Sequence, residues 1–270
     1  MENENADVID ALHTLGFCTA REDLEALCRH AIEKRLGPTE FAEKLVAVER
    51  RERDTRNLAR RTSAAKLGTV KPLDQFDWNH PREIDRDLVE RLLSLHFIQA
   101  GHNVLFRGAS GVGKTTLAKH LGFRALERGY TVRFCTFAQV LADLLKQESL
   151  PALERRLKRY TTPQLLVIDE IGYLPCDPKA ADLLFNIVSR RHESRSVVIT
   201  TNLPFKRWGT LFSGAASVAA LVDRFAQHCH TVDIDADSWR QKHSLARSSS
   251  KPPRNDKARP QTTPKGKEPD

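Results

Sequence analysis

The chain has 270 residues, 40% of them hydrophobic and 29% charged, with a formal net charge of +8, which allows a buried core in one or two domains and suits a polyanionic partner. Its five cysteines (Cys18, Cys28, Cys135, Cys176, Cys229) form no CxxC pair, which argues against a disulfide framework or zinc site and fits a reducing compartment. No apolar run nears the ~20 residues of a membrane span, and the acidic opening "MENENADVID" is not a secretory signal, so a cytoplasmic protein with no membrane partner is expected.

Residues 1–70 lack strand-like runs and read as a small helical N-terminal domain that binds DNA or a partner. "DLEALCRHAIEKRL" sets Leu24, Leu27 and Ile32 at roughly helical spacing. "GPTEFAEKLVAVERRERDTRNLARR" follows a Gly-Pro break and carries Phe41, Leu45 and Val48 on one face. Its C-terminal part is basic: Arg50, Arg51, Arg53, Arg56, Arg60, Arg61 and Lys66 stand against Glu52 and Asp54, with Arg53, Arg56 and Arg60 sharing a helical face. Such a cluster attracts DNA phosphates without reading bases, although a single basic stretch is more often just a solvated helix face.

Residues 71–245 alternate apolar strands with amphipathic helices. Five strands are predicted, at 103–106, 131–137, 165–169, 196–201 and 230–235, with helical patterns at 115–127, 138–146 and 179–191. That alternation predicts an α/β fold with a five-stranded parallel sheet covered on both faces.

The first strand runs into "GASGVGKTT", which fits G-x-x-x-x-G-K-[ST] at Gly108, Gly113, Lys114 and Thr115. The backbone of Gly108, Ala109, Ser110, Gly111, Val112, Gly113 and Thr116 would turn inward around phosphate oxygens. Lys114 would bring positive charge to the β- and γ-phosphates, and the Thr115 hydroxyl would ligate magnesium. An apolar strand before the match and a helical pattern after it make a chance match improbable. Between the second and third strands "LERRLKRY" is another basic helix candidate, with Arg155, Arg156, Lys158 and Arg159.

The third strand, "LLVIDE", ends in Asp169 and Glu170. An acidic pair at the end of a buried strand is costly unless a cation or water uses it. Asp169 is expected to hold Mg2+ and Glu170 to orient and deprotonate the attacking water, which points to hydrolysis. In "VVITTN", Asn202 follows a buried strand. It would reach the γ-phosphate if its strand lies between the phosphate-loop strand and the Asp169 strand. Otherwise it is a turn-favouring Asn before Leu-Pro. Arg224 in "LVDRF" suits a phosphoryl transition state, often from a neighbouring subunit, unless it only pairs with an acid such as Asp223. "HCH" at 228–230 reads as ordinary strand packing. Residues 246–270, rich in Ser, Pro and Lys, are expected to form a disordered basic tail.

These residues, in this order, resemble the AAA+ ATPases. From about Leu36 to Arg240 the chain is similar to the IstB-like transposition helpers and their relatives, the DnaC-type helicase loaders. The resemblance rests on "LDQFDW", "LLSLHFIQAGHNVLFRGASGVGKTTLAKHLG", "LLVIDEIGYLP", "ITTNLPFKRW", "LVDRF" and "DSWR". It implies a P-loop AAA+ core with sheet order 5-1-4-3-2 and no C-terminal lid, Asn202 as sensor 1, and Arg224 as a finger acting in trans within an ATP-dependent homo-oligomer. It also implies ATP and Mg2+ as ligands, double-stranded DNA and a transposase as partners, and a role in selecting integration sites. Ala109 and Ser110 stand where the family often has Pro-Pro, and Trp239 replaces the usual tyrosine. A DnaC-like loader of a replicative helicase uses the same engine and is the main alternative. A small-molecule P-loop kinase would need an acceptor pocket and would not need the arginine in trans.

Overall fold

The computed structural model describes residues 2–172, 176 and 178–236. Three helices open the chain: α1 (Glu2–Thr14), α2 (Arg21–Lys34) and α3 (Pro38–Ala65). Proline at the first helical position, where its missing N–H costs nothing, starts α3. The inner face of α2 is Leu24, which is buried, with half-buried Leu27, Cys28 and Ala31 behind it. Ile32, expected on that face, is 67% exposed. One residue of helical drift separates the two faces, so i, i+3, i+8 spacing missed the true stripe at i, i+4, i+7. Phe41, Leu45 and Val48 are half-buried along α3 as expected.

The remainder is a sheet between two helical layers. In chain order it comprises β1 (Glu83–Ile84), α4 (Arg86–Leu93), α5 (His96–Gln99), β2 (Asn103–Gly108), α6 (Lys114–Glu127), β3 (Val132–Thr136), α7 (Phe137–Leu144) and α8 (Leu150–Thr161). Then come β4 (Leu165–Ile171), α9 (Pro178–Arg191), β5 (Ser196–Thr201), α10 (Trp208–Leu211), α11 (Ser217–Ala226) and β6 (Cys229–Asp235). The strand order is β1-β6-β2-β5-β4-β3. Five strands are parallel; numbered from the phosphate-loop strand they run 5-1-4-3-2. The sheet is nevertheless six-stranded and mixed, not five-stranded and parallel, because β1 adds an antiparallel edge to β6. Two residues are too short to leave a periodic signal; pairing with β6 and the packing of half-buried Ile84 against the core recruit them.

Strand residues alternate between two cores. Leu105, Cys135, Leu166, Ile168, Val197 and Ile199 face α7, α8, α9 and α11. Val104, Phe106, Val132, Leu165, Val167 and Val198 face α4, α6 and the end of α3, which contributes Leu58 and Ala65. Both faces are buried, hence the continuous apolar runs. The two layers are joined to the sheet by caps and one buried cation. Thr136 and Gln139 form a reciprocal capping box at the start of α7. Fully buried Arg191 donates to the carbonyls of Tyr160, Pro163, Gln164 and Ser196, tying the α8–β4 turn to β5. Burial holds its pKa down at about 9.

Among the described residues no helix is long and apolar enough to cross a membrane. "DSWR", the "YLP" of "DEIGYLP" and the 246–270 tail lie outside the described residues.

Candidate nucleotide site

At the C-terminal end of β2 the chain turns through Gly108–Gly113 and enters α6 at Lys114. Gly113 has φ 103°, and a Cβ there would lie 2.7 Å from the Phe76 ring, so the turn needs glycine on both conformational and steric grounds. The first turn of α6 has no side-chain cap, which leaves its amides and dipole facing the loop's concavity. A pocket of about 330 Å³ opens there, lined on one side by Ser110, Gly111, Val112, Gly113, Lys114, Thr115 and Thr116 and at its rim by Glu170.

Lys114 is only 5% exposed. Its Nζ donates to the carbonyls of Gly108 (2.8 Å) and Ala109 (2.6 Å), so the ammonium is folded back over the loop that would receive phosphates. The Thr115 hydroxyl lies 3.0 Å from Asp169 Oδ1, bringing two residues 54 positions apart to one point. Hard oxygen donors meeting beside a helix N-terminus fit a small divalent cation shared with phosphate oxygens. Asp169 itself is 3% exposed, while Glu170 is exposed toward the pocket.

β5 lies between β2 and β4, which is the condition that Asn202 needed. Its side chain comes so close to Gly172 that a Cβ on that glycine would be 2.7 Å from Asn202 Oδ1. Asn202 thus sits beside the strand end that carries Asp169 and Glu170. Arg224 is elsewhere. It is exposed on α11, with its guanidinium 5.2 Å above the Phe185 ring of α9, and it forms no ion pair with Asp223 among the described residues.

The basic residues separate into two groups. α3 belongs to the layer with α6, and α8 to the layer with α9, on opposite faces of the sheet. Arg50, Arg51, Arg53, Arg56, Arg60 and Lys66 are exposed. Arg53 is tied to Glu49 and the Gly16 carbonyl, Arg56 to Glu52, and Arg60 lies 3.3 Å from Asn57. Half-buried Arg61 reaches the Leu126 carbonyl at the end of α6. On α8, Arg156 clamps Asp143 and Arg159 lies 3.7 Å from it. Arg155 and Lys158 are exposed, and among the described residues neither they nor Arg50 and Arg51 form an ion pair.

Sequence reasoning missed the other wall of the pocket. Thr69, Lys71, Gln75, Phe76 and His80 come from a strap between α3 and β1 that crosses over the phosphate loop. Phe76 meets Trp78 edge-on at 4.8 Å, and Arg86 stacks on Trp78. The quoted "LDQFDW" lies in this strap, and its aromatic spacing was the available signal. Thr200 was also missed, being one apolar-looking position in a buried strand.

A family model for IstB-like ATP binding proteins matches residues 10–247. The chain is 36% identical over 219 residues to the IS21 insertion sequence ATP-binding protein of Pseudomonas aeruginosa, spanning 81% of this chain and 83% of that one. It is 31% identical over 228 residues to the IS5376 counterpart of Geobacillus stearothermophilus, spanning 84% and 91%. Among solved structures, DnaI superposes with a TM-score of 0.52 at 17% identity, covering 62% of this chain and 92% of that one, which is a likeness of fold.

Proposed function

The chain belongs to the IstB-like ATP-binding protein family, and from that premise we propose that it is a cytoplasmic ATPase that assembles on duplex DNA and assists a transposase. The observation that carries the hydrolytic part is the meeting of Thr115 and Asp169 at the start of α6, with Glu170 at the rim of the same pocket. Lys114 would exchange its two carbonyl partners for the β- and γ-phosphates. Thr115 and Asp169 would hold Mg2+, which neutralises charge on the phosphate oxygens when bound. Glu170 would take the proton of the attacking water, and Asn202, beside the same strand end, would orient that water and the γ-phosphate. The strap's Phe76 would close the pocket on the nucleoside side.

Arg224 supports an assembly. An exposed arginine held over an aromatic ring, outside the pocket of its own chain, is suited to reach the γ-phosphate bound by a neighbouring copy. The exposed cations of α3 and α8 lie on opposite faces, so a single duplex would meet them from different copies. Among the described residues no base-reading element accompanies them, and target preference would come from DNA shape or the transposase.

Glu170→Gln tests this reading. It is expected to bind ATP as the native chain does, to lose turnover by about 10²–10⁴-fold, and to accumulate on duplex DNA. Arg224→Ala is expected to spare ATP affinity and abolish the DNA-stimulated part of hydrolysis. Normal turnover in the first variant would remove Glu170 from the chemistry, and co-purification with a replicative helicase instead of a transposase would replace the partner.

A further inference from the structure

In a regular strand successive side chains point to opposite faces, so two adjacent carboxylates cannot both address one site. β4 escapes that rule. Its register with β5 runs Val167↔Val198 and Ile168↔Ile199 but resumes at Ile171↔Thr201. Two residues, Asp169 and Glu170, therefore stand opposite one, Thr200: a β-bulge at the acidic pair. Glu170 has φ 65°, in the left-handed region that a non-glycine residue seldom adopts. That turn of the backbone re-aims its side chain to the pocket while Asp169 stays buried beside Thr115.

The side chain facing the bulge is Thr200, 1% exposed. Its hydroxyl has one proton and two lone pairs. The proton goes to Asp169 Oδ1 at 2.5 Å, and a lone pair accepts the Glu170 N–H at 2.9 Å. One buried oxygen thus fixes both members of the acidic pair, one by its carboxylate and the other by its backbone. We propose that Thr200 is a positioning residue for ATP hydrolysis: it holds the bulge that brings Asp169 and Glu170 to the same pocket. This rests on the ATPase reading of that pocket. Thr200 does not line the cavity and acts only through the two acids.

Valine is nearly isosteric with threonine and removes both hydrogen bonds, while serine keeps them. Thr200→Val is expected to lower kcat about 10²-fold, the scale of a misplacement near 1 Å. KM for ATP and the affinity for a non-hydrolysable ATP analogue should stay within about threefold, because the phosphate loop is untouched. Thr200→Ser should restore kcat to within about fivefold. A second readout uses the nucleotide-free protein. Hydrogen exchange of the Glu170 amide should be slow in the native chain and in Thr200→Ser, and fast in Thr200→Val. The proposal is overturned if Thr200→Val turns over ATP within about threefold of the native chain, if serine is as impaired as valine, or if the native Glu170 amide exchanges like an open loop. Should Thr200→Val fail to fold, Thr200→Ala, which also removes both hydrogen bonds, is judged by the same limits. Failure of the ATPase reading looks different: the native chain would neither bind nor hydrolyse ATP, the exchange contrast would persist, and the catalytic part of the proposal would fall with that reading.

Discussion

Among the described residues two carboxylates are buried, Glu49 and Asp169, and the company they keep sets them apart. Glu49, on α3, accepts from the amides of Cys18 and Thr19, from the Thr19 hydroxyl and from the Arg53 guanidinium. Asp169, at the end of β4, accepts from the hydroxyls of Thr115 and Thr200. Burial pushes the Glu49 carboxyl up, but Arg53 and the Cys18 and Thr19 donors outweigh it and hold its pKa at about 2. A carboxylate neutralised by a cation of its own fold is a clasp, here joining the α1–α2 turn to α3. One oriented by hydroxyls is aimed without being neutralised, and a hydroxyl can also turn its lone pairs to a metal. The type of donor, more than burial, separates Glu49, held in the clasp, from Asp169, the acid proposed to hold Mg2+.

Breaking each side separately sharpens that contrast. Lys114→Ala should weaken ATP binding by more than ~10²-fold, the loss expected when a buried charge partner of phosphate is removed, while lowering the thermal midpoint of the nucleotide-free protein less than Glu49→Ala does. Titration calorimetry and a melting curve check the two halves. Glu49→Ala should do the reverse. It leaves the Cys18 and Thr19 amides and the Thr19 hydroxyl without their acceptor, costing about 1–3 kcal/mol of unfolding free energy in denaturant, with ATP affinity unchanged. A matching loss of ATP affinity would mean that the clasp and the site are not independent.

The clasp should also show in acid. The folded pKa of Glu49 lies below its ordinary value of 4.5, so its stabilisation is complete above pH 4.5 and is lost as pH falls toward about 2. Glu49→Gln should flatten the stability profile across that window, and an unchanged profile would assign acid sensitivity elsewhere. The smallest effects on stability belong to the unpaired surface cations. Arg50→Glu, Arg51→Glu or Arg155→Glu should each shift unfolding by no more than ~0.5 kcal/mol, yet lower the salt slope of DNA binding by about one. Arg53→Glu should combine both behaviours, because Arg53 serves the clasp as well as the surface.

What the residue order made legible was local. The phosphate loop could be read because three spaced glycines, a lysine and a helix start act within nine positions, and backbone amides make the site wherever that turn forms. The five parallel strands were legible because a sheet buried on both faces demands unbroken apolar runs. The acidic pair was visible too, since two charges ending such a run need a use. The strap was only partly visible: "LDQFDW" carries part of the family resemblance, but nothing in its spacing says that Phe76 lies against Gly113.

Tertiary structure decided the rest, and in each case the physical cause is a contact between residues far apart in the chain. β1 exists because β6 offers it an edge, and the basic helices fall on opposite faces because strand alternation sends α3 and α8 to different layers. Thr200 matters because its strand is the neighbour of β4, across 30 residues of intervening chain. A linear pattern can encode which atoms are available. Which of them share one buried hydroxyl is settled only when sheet register fixes their distance to within a hydrogen bond.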